Sequence, residues 1–372
     1  MSTAIDQDTR TRLTSLAEAL VDQGRATPII PANEPREGFW FGAGNLSTGP
    51  DGALYLVGRY RNFGDSRTGL GSGTRGLELA IFRSVDGARS FSKLLSFSKP
   101  DLNARDLEVV SIEGAKLHFT PGGVELFVST EKSGIPYPEK YRSFHKPGTG
   151  VWTIDRIAAA SVLELAGKEP ETILRCADPR WLHVKDPVIY DAKNGDTVLY
   201  FCTHPFNWSS GNTALAVRPK GAVDFGAPSF SPFPRGFTWD VAASRVTGLC
   251  PVPRVGSLAR GPERCLVFYD GAESMRKYDE HPMAVKRPRG YSCEEIGGAA
   301  CLEEGQFDSI ERLSTDLPLF ISPNGTGCSR YVDVFARENE YLVTWQQSQP
   351  DGSQPLVLNR VSRAEAQAIL AG

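Results

Sequence analysis

Residues 183–201 read HVKDPVIYDAKNGDTVLYF, and the prediction of the fold starts from this segment. Its β-branched and aromatic run at 188–190 predicts a strand, residues 194–196 supply a turn, and a second run of strand-forming residues follows. Just ahead of the first strand lie Lys185 and Asp186. Because an ionised carboxylate that leaves water needs a partner, this charged pair is predicted to have a structural or chemical role.

The same two-strand phrase occurs five times along the chain. Its second strand is marked by residues 54, 124, 198, 266 and 341, at intervals of 70, 74, 68 and 75 residues. A nearly fixed period predicts a repeat architecture, and this length leaves room for four strands in each unit. A linear solenoid would need shorter repeats. We therefore predict an all-β fold, a five-bladed β-propeller over residues 31–372, preceded by an N-terminal extension over residues 1–30.

The N-terminal segment carries the helical signal of the chain. Leucines at near-helical spacing predict an amphipathic helix over residues 9–24, with Gly24 as its stop and a packing role. The short run Thr-Pro-Ile-Ile at residues 27–30 is predicted to supply the strand that closes the ring against the C-terminal unit.

The turn after the third strand of the first unit also indicates a propeller. Residues 84–91, SVDGARSF, resemble the Asp-box of sialidase-like propellers, with Ala88 where glycine is usual. Asp86 is predicted to accept hydrogen bonds from the backbone of this turn. The motif is structural, so it supports the fold and does not indicate a function.

Composition excludes several classes of function. A net charge of −3 and a pI near 6.0 argue against a nucleic-acid or membrane-surface binder, which would normally present a basic face. No apolar run reaches the ~20 residues that cross a bilayer, and the N-terminus carries no secretory signal. The seven cysteines lack CxxC spacing, which predicts buried or free thiols, no zinc site and a cytoplasmic location.

In a propeller, the innermost strands of all blades line one central channel, and their starts converge at its mouth with the loops that leave the second strands. Concave mouths of this kind favour ligand binding. The candidate residues at these positions are Asn45, Glu113, Lys185, Asp186, Arg245 and Arg330 in the first group, and Arg59, Arg61, Asp65, His204, Trp208, Asp270 and Glu273 in the second.

Three short segments resemble five-bladed propeller glycoside hydrolases of families 43 and 130. They are the blade repeat DPVIYD at 186–191, the segment SIEG at 111–114, which resembles the one that carries the catalytic acid in family 43, and the strand CLVFYDG at 265–271. The resemblance implies a glycosidase with a carbohydrate substrate. Family 43 places an aspartate base, a modulating aspartate and a glutamate acid in its first three blades. This chain offers Asn45, Glu113 and Asp186 there, so the mechanism does not transfer directly.

A hydrolytic mechanism can still be assigned as a hypothesis, since glycoside hydrolysis normally needs two carboxyl groups. We expect Glu113 to be the general acid, because crowding by other carboxylates would raise its pKa. Asp186 would be the base or a modulator, with Lys185 setting its charge state. Asp270 is the first reserve for the second catalytic carboxylate, and Asp65 and Glu273 are the others.

The remaining candidates suit substrate binding. Arg59, Arg61 and Arg245 could bind an anionic sugar through bidentate bonds. Aromatic faces for a sugar ring are expected from Tyr60, Trp208 and Trp345.

Two other classes of function stay open. The charged mouth could serve a non-catalytic propeller that binds a glycan or a protein, or a lyase or sialidase-like enzyme in which His183 and His204 act as acid and base or as metal ligands. The histidines show no metal-ligand spacing, so no catalytic metal and no organic cofactor are predicted. A structural divalent cation could lie in the channel. The oligomeric state is open.

Overall fold

A computed structural model describes residues 5–62, 76–145, 147–274 and 295–372. The α-helices of these segments are α1 (Gln7–Leu20) and α2 (Arg363–Ala371). The strands are β1 (Thr27–Ile30), β2 (Trp40–Thr48), β3 (Leu54–Arg61), β4 (Glu78–Ser84), β5 (Ser92–Phe97), β6 (Val109–Thr120), β7 (Gly123–Lys132), β8 (Val151–Ala159), β9 (Glu171–Leu174), β10 (His183–Asp191), β11 (Thr197–His204), β12 (Asn212–Arg218), β13 (Ser229–Phe230), β14 (Ala243–Pro251), β15 (Arg264–Ala272), β16 (Ile296–Glu303), β17 (Glu311–Arg312), β18 (Ser329–Ala336), β19 (Glu340–Gln347) and β20 (Leu356–Ser362). Short 3-10 helices lie at Pro100–Leu102, Glu139–Phe144, Leu163–Leu165 and Gly256–Ala259.

The strands of the described segments form five antiparallel sheets of four strands. Blades 1 to 4 are β2–β5, β6–β9, β10–β13 and β14–β17, and blade 5 is β18–β20 with β1 at its outer edge. Thr27 pairs with Leu358, so the first strand of the chain completes the last blade. The five-bladed propeller and its closing strand are confirmed. The propeller therefore includes Thr27–Ile30, which lie inside the segment predicted as an N-terminal extension.

Hydrophobic side chains fill the seams between neighbouring blades, because each sheet presents apolar residues on both faces. One core cluster joins blades 1 and 2 around Val57 and Leu117, and another joins blades 3 and 4 around Tyr200 and Val267. The Asp-box turn is also formed as predicted. The Oδ1 atom of Asp86 accepts from the backbone amides of Arg89 and Ser90, each at 3.0 Å.

Both α-helices lie against blades 4 and 5. The predicted N-terminal helix is present but begins at Gln7 and ends at Leu20, four residues before Gly24. The C-terminal helix α2 was not predicted. Its start carries a recognisable signal, since the side chain of Ser362 accepts from the backbone amide of Glu365 in the order Ser-x-x-Glu. The two helices pack together, and Arg12 donates to the carbonyl of Leu370 at 3.0 Å.

Every inner strand contains a bulge, where the register against the second strand shifts. At the bulges of blades 1, 3 and 5, Ala43, Asp186 and Tyr331 adopt a left-handed backbone with φ of 59°, 54° and 56°. Such a conformation is costly for residues other than glycine and is often found at functional sites. The bulges redirect side chains toward the channel axis, so they position the candidate site.

A charged clasp joins blades 2 and 3 at the end of the ring opposite the channel mouth. The imidazole of His118 contacts Glu125 at 3.0 Å through Nδ1 and Asp191 at 3.1 Å through Nε2. Burial opposes protonation, but hydrogen bonds and charge from the two carboxylates raise the pKa of His118 to about 9. His118 is therefore cationic at neutral pH.

This clasp predicts a pH-dependent contribution to stability. Because the pKa of His118 is raised on folding from a reference near 6.5, its contribution is complete below that pH and is lost as pH rises through about 9. The free energy of unfolding of wild type should exceed that of His118→Gln by about 2 kcal/mol more at pH 6 than at pH 10. Urea denaturation of both proteins measures this gap, and a gap that does not change with pH would contradict the assignment.

Candidate active site

Glu113 lies at the bulge of the inner strand of blade 2 and is held by two arginines of blade 1. Its Oε1 accepts from Nη1 of Arg61 at 2.5 Å, while Oε2 accepts from Nε of Arg59 at 3.0 Å and also from Nη2 of Arg59. All three side chains are buried. Burial alone would raise the pKa of the Glu113 carboxyl, but Arg59 and Arg61 lower it well below its usual range.

Arg245 organises the other half of the site. Its Nη1 donates to Oδ2 of Asp186 at 3.1 Å, and its Nη2 donates to Oδ2 of Asp270 at 2.7 Å. Nη2 also lies 3.0 Å from Oε2 of Glu295. One guanidinium thus joins the inner strand of blade 3 to the first two strands of blade 4 and to Glu295, which directly precedes the third. Arg330 of blade 5 pairs with the same Glu295.

The carboxyl groups on Arg245 differ in their protonation. Burial raises the pKa of Asp270 to about 6; Arg245 opposes this shift and the charge of Glu295 adds to it. Burial also acts on Glu295, but Arg245, Arg330 and Lys185 lower its pKa far below the usual range. Asp270 is therefore the group that can carry a proton near neutral pH, while Glu295 stays ionised.

Asp186 occupies the bulge of blade 3, between these two halves. Its Oδ1 accepts from the backbone amide of Gly114 at 3.2 Å, and Nζ of Lys185 lies 3.7 Å from its Oδ2. A Cβ atom at Gly114 would lie 2.7 Å from Oδ1, so a glycine is required for this approach. Asp186 lines a cavity of about 10 Å³ with Arg245 and Tyr331, which is room for about one water molecule.

Tyr331 connects the two halves from the bulge of blade 5. Its backbone amide donates to both oxygens of Asp270 at 3.1 Å, and its hydroxyl accepts from Nη2 of Arg59 at 3.3 Å. The guanidinium of Arg245 lies 4.2 Å from the centre of its ring. Burial raises the pKa of the phenol to about 12, so Tyr331 stays neutral. We infer that it positions Asp270 and the arginines.

An aromatic wall lies beside this cluster in blades 2 and 3. The Trp208 ring stacks on His183 at 4.3 Å and contacts His204 at 4.4 Å, and Nζ of Lys185 lies 5.5 Å from its centre. Trp208 has φ of 56° and remains partly exposed, as a sugar platform requires. Trp152 meets it edge-on at 6.2 Å.

Both histidines of the wall are neutral supports for Trp208. Burial, with added repulsion from Lys185, lowers the pKa of His183 to about 3 and that of His204 well below its usual range. Nδ1 of His204 bonds the carbonyl of Ser210 at 2.8 Å. His204 is 1% exposed and packs against Trp208, so the structure shows it as a support for that ring, and its role in substrate binding stays a prediction.

Three predictions need correction. Asn45 lies past the bulge of blade 1, where its side chain bonds both backbone groups of Leu117 in blade 2, so the bulge position itself is held by Ala43. Trp345 is fully buried beneath α1, and Tyr60 packs in the core against Phe41. These residues are structural because the bulge and the inner faces of the blades direct them away from the channel mouth.

The predicted rise in the pKa of Glu113 is also wrong, because arginines rather than carboxylates surround it. Its catalytic role stays a prediction. Glu273 is exposed just after β15, and Asp65 lies outside the described residues. The mouth does bring together most of the remaining candidates: Arg59, Arg61, Glu113, Lys185, Asp186, Trp208, Arg245, Asp270 and Arg330.

Sequence reasoning missed Tyr331 and Glu295. Tyr331 follows Arg330 at the start of an inner strand, so its place in the fifth repeat was the available signal. Glu295 directly precedes β16, a third strand, whose start was not considered as part of the mouth. It also missed Lys116, a charged residue inside the inner strand of blade 2.

Other expectations concern metals, thiols and membranes. Within residues 5–62, 76–145, 147–274 and 295–372, no group of three His, Cys, Asp or Glu side chains could hold a metal ion. The six cysteines in those ranges are free thiols, five of them buried, as predicted. No helix in the same ranges is both long and apolar enough to cross a membrane.

Fold and site together define the class of this protein as a five-bladed β-propeller with a buried charged cluster at its channel mouth. No protein-family model matches the sequence, and no curated protein matches it. Solved structures show the same fold at low sequence identity. A thermostable family-43 glycoside hydrolase has a TM-score of 0.53 and 11% identity, covering 89% of this protein and 92% of that one.

Two other similar structures have names that specify a sugar. The α-L-arabinofuranosidase from Lactobacillus brevis gives a TM-score of 0.54 at 11% identity, with 91% of this protein and 93% of that one covered. The β-1,2-mannobiose phosphorylase from Listeria innocua, in complex with β-1,2-mannobiose, gives 0.52 at 11% identity, with coverage of 93% of both. At this identity the similarity establishes the fold. It is the fold that the sequence resemblance implied.

Proposed function

We propose that the protein is a glycoside hydrolase that removes a terminal sugar at the channel mouth. The observation that carries this proposal is the arrangement around Arg245. One guanidinium holds Asp186 at 3.1 Å and Asp270 at 2.7 Å, and burial raises the pKa of Asp270 to about 6. Two carboxyl groups in one site, one able to carry a proton and one ionised, are what glycoside hydrolysis needs.

The roles of the carboxyl groups follow from their partners. Asp270 would give its proton to the oxygen of the leaving group. Asp186, paired with Arg245 and close to Lys185, would accept a proton from the attacking water. Glu113 is saturated by Arg59 and Arg61, so it serves best as the anchor that fixes these two arginines.

The charge of the cluster favours an anionic sugar. Its cations are Arg59, Arg61, Lys185, Arg245 and Arg330, and its carboxylates are Glu113, Asp186, Asp270 and Glu295. Among the residues that the structure describes, the cations of the cluster outnumber its carboxyl groups by five to four, and protonation of Asp270 would enlarge this surplus. A carboxylate or sulfate on the sugar would balance this surplus, and the partly exposed Trp208 would stack on the ring.

A matched pair of substrates tests both parts of this proposal. We expect turnover of 4-nitrophenyl glycosides, with kcat/KM for a uronide at least about 10-fold above that for the same sugar without its carboxylate. Arg330→Gln should reduce this preference. Hydrolysis of both at equal rates would reject the anionic substrate while keeping the hydrolase, and the absence of turnover across a broad panel would reject the hydrolase.

A non-catalytic glycan-binding propeller is favoured by one observation. Glu113 and Asp270 are only 3% and 1% exposed, and the cavity beside Asp186 is about 10 Å³, so the described residues enclose the cluster tightly. Binding of an oligosaccharide without turnover, measured by calorimetry and abolished by Trp208→Ala, would support this alternative.

A further inference from the structure

Lys116 is a buried cation at the centre of the ring. It lies in β6, the inner strand of blade 2, and its side chain is 6% exposed. A buried ammonium group is costly unless it is paired and hydrogen-bonded, so its partners explain why it is there.

The partners of Lys116 come from three different blades. Its Nζ lies 2.9 Å from the carbonyl oxygen of Gly44 in blade 1, 2.8 Å from Oδ1 of Asp333 in blade 5 and 3.5 Å from the carbonyl oxygen of Thr247 in blade 4. Blade 2 has only blades 1 and 3 as neighbours in the ring. An amine that reaches blades 4 and 5 from blade 2 must therefore lie on the channel axis.

This set of oxygen atoms resembles the coordination sphere of a hard cation. Backbone carbonyls and a carboxylate are the ligands that Ca²⁺ prefers in proteins. The second oxygen of Asp333 is already used, since it accepts from the backbone amide of Leu46 at 3.1 Å. A metal ion bound to these oxygens would meet the ammonium group as a like charge at close range. The residues present therefore do not fit a channel metal.

We propose that Lys116 is the built-in channel cation of this protein and that it takes the place of a metal ion. The ammonium neutralises Asp333 and ties blades 1, 2, 4 and 5 across the axis. The sequence left open a structural divalent cation in the channel. Lys116 excludes such a cation at this position. Shortening the side chain would remove the charge and vacate the axis, which leaves a cation site formed by Asp333 and the carbonyls of Gly44 and Thr247.

Two variants of Lys116 separate the effect of losing the charge from the effect of vacating the volume on the channel axis. Lys116→Met loses the charge but keeps the chain length, so the axis stays filled. Lys116→Ala loses the charge and opens the axis. Both should lower Tm by about 3–6 °C, because Asp333 loses its cation. About 5 mM CaCl₂ should restore at least half of that loss in Lys116→Ala and none in Lys116→Met. Lys116→Ala with Asp333→Asn should not respond to Ca²⁺.

The wild-type protein provides the other half of the test. After dialysis against CaCl₂ and then buffer, we expect less than about 0.1 equivalent of bound metal and no change of Tm with EDTA. Lys93→Ala, which removes the exposed partner of Glu78, is the control and should be unaffected by Ca²⁺. One equivalent of metal in wild type, with a lower Tm after chelation, would overturn the proposal. So would a Lys116→Ala protein that Ca²⁺ neither stabilises nor helps to refold.

Discussion

Asp270→Asn should lower kcat/KM by about 10²–10⁴-fold, the usual contribution of a general acid. The substitution keeps the shape of the side chain and an acceptor for Arg245 and for the amide of Tyr331, so the fold should survive. It removes the carboxyl group whose pKa is raised by burial to about 6. Steady-state kinetics on the best aryl glycoside, with circular dichroism as a check of folding, measures the effect.

The dependence of kcat/KM on pH provides a second test of Asp270 as the general acid. The active form of an acid catalyst is protonated, so kcat/KM of wild type should fall as pH rises through about 6. Glu295 raises the pKa of Asp270, and Glu295→Gln should therefore shift this fall to lower pH. Asp308→Asn, an exposed aspartate of the same blade, is the matched control and should leave the profile unchanged. An Asp270→Asn enzyme with more than half of wild-type activity would show that Asp270 is not the acid.

Glu113→Gln should lower the free energy of unfolding by about 3–5 kcal/mol. The glutamine leaves Arg59, whose side chain is only 1% exposed, without the carboxylate that accepts from its Nε and Nη2, and it also removes the negative charge beside the buried Arg61. Urea denaturation followed by tryptophan fluorescence measures the change, with the slope of the transition as a check on two-state behaviour.

The control for this prediction is a more exposed ion pair of blade 1, the blade that carries Arg59 and Arg61. Glu78→Gln breaks the pair with Lys93, whose side chain is 42% exposed, and should cost at most about 1 kcal/mol. If Glu113→Gln is as stable as Glu78→Gln but inactive, Glu113 acts in the chemistry and is not an anchor.

The fold could be predicted because the repeat period is visible in the sequence. Five strand pairs at nearly equal spacing are compatible with few folds other than a five-bladed propeller. The closing strand at Thr27–Ile30 could be predicted because the last blade needs a fourth strand. The helix α2 was missed because its nine residues end the chain directly after a strand, and only the pair Ser362 and Glu365 marks its start.

The sequence predicted which side chains come together at the mouth, while their roles in function stay predictions. Glu113, Asp186 and Arg245 could be found because they lie in the first half of an inner strand at equivalent places in the repeat, and Asp270 lies near the end of a second strand. The bulges could not be read from the pattern, and a bulge decides which of two neighbours faces the axis. This is why the pattern indicates Asn45 where the structure has Ala43. The pKa of Glu113 depends on arginines of another blade, which spacing along the chain does not show.

The pairing of Thr27 with Leu358 has a consequence for biogenesis. During synthesis the first strand emerges more than 300 residues before its partner, so it must wait unpaired while the other blades form. Contacts of such long separation are slow to form, and an exposed strand edge can pair with other chains. Ring closure is therefore expected to be the last step of folding, and the interval before it is when the nascent protein is most prone to aggregate.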